Sequence, residues 1–209
     1  MTTSYDAVVL AGGAASRLGG ADKPALAVGG RMLLDRVLAA CAVADRTVVV
    51  GPRRPTALPV RWTREQPAGG GPLPALAAGL AALTGADRPA AVVVLAADLP
   101  FLAARTVTAL VEELAGPGSG AGAYEGVVLT DPGGRDQPLA AAYLAEPLRR
   151  EIALLGAEHG TLNGLPLRLL TGELALRRIA DPTGEASFDC DTWDDVAAAR
   201  ARLGDSPDR

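Results

Sequence analysis

The 209 residues are 49% hydrophobic and 21% charged, with aromatics at only 3%. That balance excludes a disordered chain and predicts a core of Ala, Val and Leu with little surface for stacking bases. A formal charge of −4 and a pI near 5.1 exclude a protein that holds nucleic acid by counterion release, which needs a basic face; the arginines are scattered, and "GPRRP" at 51–55 is too short to make one.

Cys41 and Cys190 are the only cysteines and His159 the only histidine, too few for a closed Cys/His zinc site. The start of the chain lacks the basic-then-apolar plan of a signal peptide, and no apolar run reaches membrane-spanning length. A cytoplasmic protein without membrane contact is the expectation.

In chain order, "YDAVVLAGG" predicts a buried strand over Ala7 to Leu10, running into glycines. "MLLDRVLAACAVA" sets Leu33, Leu34, Val37, Leu38 and Cys41 on one helical face, which makes Cys41 a buried thiol. "RTVVVG" is a second strand, closed by Gly51 and Pro52, and "VRW", Val60 to Trp62, a third. A helix begins near Leu73, with Leu76, Leu80 and Leu83 at helical spacing. "AAVVVLAADLP" holds the clearest strand, Ala91 to Ala96, apolar at every position as a central parallel strand should be.

Val107, Leu110, Val111 and Leu114 mark the next helix. "GPGSGAG" at 116–122 has a flexible-loop composition, "GVVLT" is a strand, "DPGGR" a turn, and "AEPLRREIALL" a helix from about Pro147. Thr192 and Asp195 form a capping box for the last helix. Strand and helix alternate throughout, the pattern of an α/β, doubly wound, mostly parallel sheet. One domain over residues 1–203, with a frayed tail at 204–209, is the expectation.

Ligands of such sheets sit at the carboxyl ends of the strands. After the first strand comes "LAGGAASRLGGADKP", where glycines free backbone N–H groups to cradle phosphate oxygens and Arg17 and Lys23 supply positive charge. It is not a Walker A loop, because Pro24 follows Lys23, nor a G-x-G-x-x-G fingerprint. Asp98 stands where the apolar central strand runs out. A carboxylate there must be hydrated, paired or bound to a cation, and Mg²⁺ prefers one or two carboxylates plus substrate phosphates. "REQPAGGGPLPAL" is a second glycine-rich turn ahead of a helix, able to approach the edge of a base. In "FDCDTWDD", Asp189 and Asp191 precede the last helix and could reach a metal, or form a solvated acidic turn. Asp131, Asp136 and Gln137 flank a turn and carry a weaker signal. His159, in "GAEHGTLNG", reads as a loop residue rather than a base.

These residues resemble a family. "LAGGAASRLGGADKPAL", "GGGPLPALAAGL", "AADLPFL", "QPLAAAY" and "FDCDTWDDV" are similar, in order from residue 7 to about 203, to the motifs of the MobA-like nucleotidyltransferases. The resemblance implies a Rossmann-like nucleotidyltransferase fold. For the molybdenum cofactor guanylyltransferase branch it implies Mg²⁺-dependent transfer of GMP from GTP to molybdopterin, with release of pyrophosphate and transient contact with molybdenum cofactor enzymes. On that basis Asp98 holds Mg²⁺, Lys23 and Arg17 hold the triphosphate, and Leu10, Ala11, Gly12, Gly13, Glu65 and Gly71 line the nucleotide pocket.

Two departures stand out. Glu65 replaces an aspartate usual in the guanylyl branch, and Asp191 replaces an asparagine. An aspartate at 191 looks more like the cytidylyltransferase relatives, where it can be a second metal ligand, whereas Gly12-Gly13 looks like the guanylyl branch. The closer match of the first loop favours guanine; CTP, a sugar or other small phosphate acceptor, and a non-catalytic nucleotide-binding protein remain the alternatives.

Overall fold

The computed structural model describes residues 3–13, 18–85, 89–116 and 124–204. Arg17, most of the 116–122 segment and all of the tail beyond residue 204 lie outside the described residues.

The elements run β1 (Tyr5–Leu10), β2 (Ala27–Val28), β3 (Arg31–Met32), α1 (Leu33–Ala40), β4 (Thr47–Val50), β5 (Arg61–Thr63), α2 (Pro72–Ala82) and β6 (Ala91–Ala96). They continue with α3 (Ala104–Leu114), β7 (Gly126–Thr130), β8 (Asp136–Leu144), α4 (Ala145–His159), α5 (Leu167–Glu173), β9 (Leu176–Ala180) and α6 (Trp193–Arg202). Seven strands form one sheet in the order β5-β4-β1-β6-β8-β7-β9, in which only β8 runs against its neighbours; β2 and β3 make a small separate hairpin.

Alternation along the central strands assigns their side chains to two cores. Ala7 and Val9 of β1 join Val93 and Leu95 of β6 on the face covered by α1 and α3. Val8, Leu10, Val92 and Val94 point the other way, to α2 and α4. Both faces are buried, so Ala7–Leu10 and Ala91–Ala96 are continuous apolar runs, as the sequence suggests. Close approach of α2 depends on Gly79, where an added Cβ would lie 2.5 Å from Val8 Cγ1. Cys41 caps the end of α1, is buried as expected, and points its thiol at the Val37 carbonyl. A third, smaller core gathers Leu18, Val28, Leu33 and Cys190 beneath α6, with Phe101 and Phe188 packed against it.

Some boundaries differ from the sequence expectations. The third strand is Arg61–Thr63, one residue later than expected. Helix α4 starts at Ala145, which puts Pro147 in the first turn, where its missing N–H has no helical partner to lose. His159 is the last residue of that helix rather than a loop residue, and left-handed Gly160 ends it. Strands β8 and β9, helix α5 and the β2–β3 hairpin carry no clear periodic signal and were not expected.

Candidate active site

After β1 the chain passes to β4 and β5 on one side of the sheet, then crosses back to β6 on the other. The gap between the carboxyl ends of β1 and β6 is therefore a topological switch point, where ligands of such sheets bind. Leu10 is in register with Ala96, and the Ala97 N–H donates to the Leu10 carbonyl at 3.0 Å, which fixes the two strand ends together. The first glycine loop leaves from one end and Asp98 from the other.

Lys23 opens a 3₁₀ turn, Lys23–Ala25, and reaches across this gap. Its ammonium forms an ion pair with Asp98 and donates to Asp191 Oδ1 at 2.5 Å. The Lys23 and Asp98 side chains are only 15% and 18% exposed, whereas Asp191 is 44% exposed. Burial is the largest influence on Lys23 and pulls its pKa down, but the charges and hydrogen bonds of Asp98 and Asp191 outweigh it and leave the ammonium raised. Asp189 lies at the rim; desolvation first, then the charges of Asp191 and Asp98, push its carboxyl up against the opposing effect of Lys23.

Asp191 comes from the far end of the sequence, and several contacts hold it in place. The Cys190 N–H donates to the Asp98 carbonyl at 3.2 Å, with Cys190 fully buried behind it. Phe101 and Phe188 pack at 5.5 Å between ring centroids, and the Arg202 guanidinium covers both rings. Buried Asp181 accepts from the Ser187 N–H and hydroxyl, which fixes the approach to this segment. On the other side, the Thr192–Asp195 capping box read from the sequence is present with both of its reciprocal bonds.

The nucleotide-pocket candidates fall into two groups. Leu10 and Ala11 are buried at the end of β1, and Gly12 and Gly13 are exposed directly beyond it. The Ala11 N–H donates to the Val50 carbonyl at 2.8 Å, and Gly51, at positive φ, lets the chain pass so close that an added Cβ would lie 2.7 Å from the Ala11 oxygen. Glu65 follows β5 and is 7% exposed; Oε1 accepts from the Gly69 N–H at 2.9 Å, while Oε2 is buried with no hydrogen-bond partner. Gly71, at φ +104°, is the N-cap of α2. The Gly70 carbonyl accepts from the Gly164 N–H, tying this second turn to the 162–165 loop.

Gln137 is directed at Asp131, and Asp136 pairs with Arg178, so these side chains are engaged with one another. His159 is exposed. One residue that sequence reasoning passed over joins the site: Arg54, dismissed with "GPRRP", forks onto Asp22 and reaches the Ala11 carbonyl. No local pattern marks it, since its role depends on β4 lying beside β1. A separate apolar groove of about 660 Å³ lies between α2 and α4, lined by Leu80, Ile152 and Leu162, and brings no carboxylate together.

Among the described residues no three His, Cys, Asp or Glu side chains share one cation position. Asp98 Oδ1 is nonetheless buried without a hydrogen-bond partner, an unmet acceptor beside a second carboxylate. Two oxygen donors of this kind fit a hard divalent cation whose remaining ligands are phosphate oxygens or water. No helix of the described residues is long and apolar enough to cross a membrane.

Similarity to known proteins agrees with this layout. The profile of the MobA-like NTP transferase domain matches residues 7–170. Among solved structures, molybdopterin-guanine dinucleotide biosynthesis protein A from Archaeoglobus fulgidus superposes with a TM-score of 0.70 at 19% identity, over 96% of this chain and 100% of that one. The 2-C-methyl-D-erythritol 4-phosphate cytidylyltransferase of Thermus thermophilus gives 0.66 at 21% identity, over 98% and 100%. A nucleotidyl transferase from Methanothermobacter gives 0.69 at 20%, over 96% and 97%. No curated protein sequence matches. The fold is thus that of the α/β nucleotidyltransferases, and with a profile match running from the first strand through α4, this chain belongs to the MobA-like NTP transferase family.

Proposed function

We propose that this NTP transferase is a Mg²⁺-dependent guanylyltransferase that moves GMP from GTP to the terminal phosphate of molybdopterin. The observation that carries the reading is Lys23 held between Asp98 and Asp191 beside the glycine loop, at the sheet's switch point. Cationic charge, acidic oxygens and a glycine-rich backbone converge there, as a triphosphate with its metal requires.

In this reading an oxygen of the acceptor phosphate forms a bond to the α-phosphorus of GTP. The bond from that phosphorus to the α,β-bridging oxygen breaks, and its electron pair leaves on pyrophosphate. The nucleophile is already an anion, so no general base is needed, which suits a site without histidine. Lys23 neutralises phosphate charge, with Arg17 as its partner in the loop, and Gly12 and Gly13 leave room for the phosphates against the backbone. Asp98 and Asp191 would hold Mg²⁺, which when bound supplies charge neutralisation at the phosphates. Glu65 and Gly71 place the second turn against the base. The site works in the cytoplasm in this account, passing its product to molybdenum cofactor enzymes.

The glycine pair at 12–13 supports guanine. A second reading, transfer of CMP from CTP, is favoured by one feature, the carboxylate of Asp191 where the guanylyl branch has an asparagine. Calorimetric titration with GTP, CTP and ATP in the presence of Mg²⁺ separates them. Preference for GTP is expected, preference for CTP would promote the second reading, and no binding by any of the three would refute both.

A further inference from the structure

We propose that Arg54 is a positioning residue that holds the two ends of the first glycine loop at a fixed separation and so places Lys23, a role that rests on the nucleotide-site reading above. The Arg54 side chain is only 9% exposed, although its partner Asp22 is 53% exposed; the burial lies on the arginine side of the pair. Its guanidinium makes three bonds to the loop from the β4–β5 connection. Nε donates to Asp22 Oδ2 at 3.0 Å and Nη2 to Asp22 Oδ1 at 2.5 Å, a parallel fork, while Nη1 donates to the Ala11 carbonyl at 3.2 Å.

Ala11 is where the loop leaves β1, and Asp22 is the residue immediately before Lys23. One rigid, planar group therefore spans entry and exit. The Ala11 end is fixed a second time by its bond to Val50. At the other end the Asp22 carbonyl accepts from the Ala25 N–H at 2.9 Å and so opens the 3₁₀ turn that starts with Lys23. Turning the Asp22 side chain would turn the root of Lys23, whose ammonium must meet two carboxylates at once. Arg54 itself is neutralised by Asp22, so it acts through the loop.

The geometry specifies arginine. A lysine ammonium is a point donor and cannot hold both carboxylate oxygens in parallel while also reaching a carbonyl on its far side. Arg54→Lys keeps the charge and removes the fork. Asp22→Asn tests the same link from its other end, and serves if Arg54→Lys does not fold.

The experiment has two arms on the full chain. In the first, backbone hydrogen exchange is followed without nucleotide in wild type, Arg54→Lys and Asp22→Asn. Amides of residues 18–26 are expected to exchange about tenfold faster in both variants, with β6 and α6 unchanged. In the second, affinity for GTP and CTP with Mg²⁺ is measured in the singles and the double variant. Each single is expected to weaken binding of the preferred nucleotide by about tenfold, and the double by no more than either, because both cut one link. Where turnover is measurable, KM rises while kcat changes less. Unchanged exchange overturns the clamp. Faster exchange with unchanged affinity, or additive losses in the double variant, overturns the positioning role. Wild type that binds neither nucleotide refutes the nucleotide reading, and the exchange arm then decides the clamp alone.

Discussion

Replacing Lys23 with methionine keeps most of the unbranched side chain and removes the ammonium that two carboxylates share. Lys23 and Asp98 are each more than four-fifths buried, and Asp98 Oδ1 already lacks a partner, so the variant leaves an uncompensated carboxylate in a poorly hydrated gap. Breaking a fully buried pair costs about 3–5 kcal/mol. Asp191 is 44% exposed and recovers much of its hydration, which reduces the figure here to roughly 2–3 kcal/mol. For a chain of this size that lowers Tm by roughly 5–10 °C.

The pH dependence gives the stricter test. The Lys23 pKa is raised in the folded protein, so its contribution is whole below the unfolded lysine value of about 10.4 and is lost only as pH rises through the folded value. Between neutrality and pH 9 the wild type should therefore gain or lose nothing from this group. In the variant the deficit should hold over that range. Thermal unfolding of both proteins from about pH 7 to 9 checks this. A variant melting within about 1 °C of wild type at pH 7.5, or a deficit that changes between pH 7 and 9, would refute the reasoning.

Asp98→Asn should reduce turnover by about a hundredfold or more while nucleotide still binds, measured by pyrophosphate release against calorimetry; full turnover would remove Asp98 from the metal role. Gly51→Ala forces a side chain onto a positive-φ position and into the Ala11 carbonyl, so we expect a loss of about 2–3 kcal/mol in urea unfolding, with weaker nucleotide binding because the loop entry must shift. Burial pushes the Cys41 and Cys190 thiols up to about 12, so neither should react with iodoacetamide at pH 8 until the protein unfolds. Rapid native-state labelling at Cys190, followed by mass spectrometry, would show that the segment beside Asp98 opens.

The legible parts of this fold are those where one local rule is strong. Strand β6 and the Ala7–Leu10 part of β1 are apolar on both faces and end in residues out of character with a core, which directs attention to Gly12 and Asp98. The Thr192–Asp195 box is a local pattern and was readable as such. Strand β8 was not: its buried stretch, Ala140 to Tyr143, is three alanines, a residue with no strand preference, before a single tyrosine, and Pro138 stands near its start. Alanine fits there because β8 lies between β6 and β7 with α3 against it, a crowding that only the assembled sheet creates. Strand β9 carries two exposed arginines on an edge and has no apolar alternation to read. At the site, residue types were readable but their pairings were not. Lys23 and Asp98 each suggested a partner of opposite charge, yet nothing local states that they are each other's partner or that Asp191 completes the set. Arg54 was hidden for the same reason, since its partners are set by strand order.

The bond between Lys23 and Asp191 joins positions 168 apart in the chain. Synthesis runs from the amino end, and α/β elements can pack as they emerge, so β1, β4, β5 and β6 are available to pair long before residue 191 leaves the ribosome. A nascent chain at that stage has the glycine loop and Asp98 but not the second carboxylate, nor the Phe188 and Arg202 packing that holds it. In the proposed reading the segment that carries Asp191, made after the other parts of the site, is therefore the one that finishes it, and a polypeptide that has not reached it has no complete place in which to hold, or spend, a nucleotide.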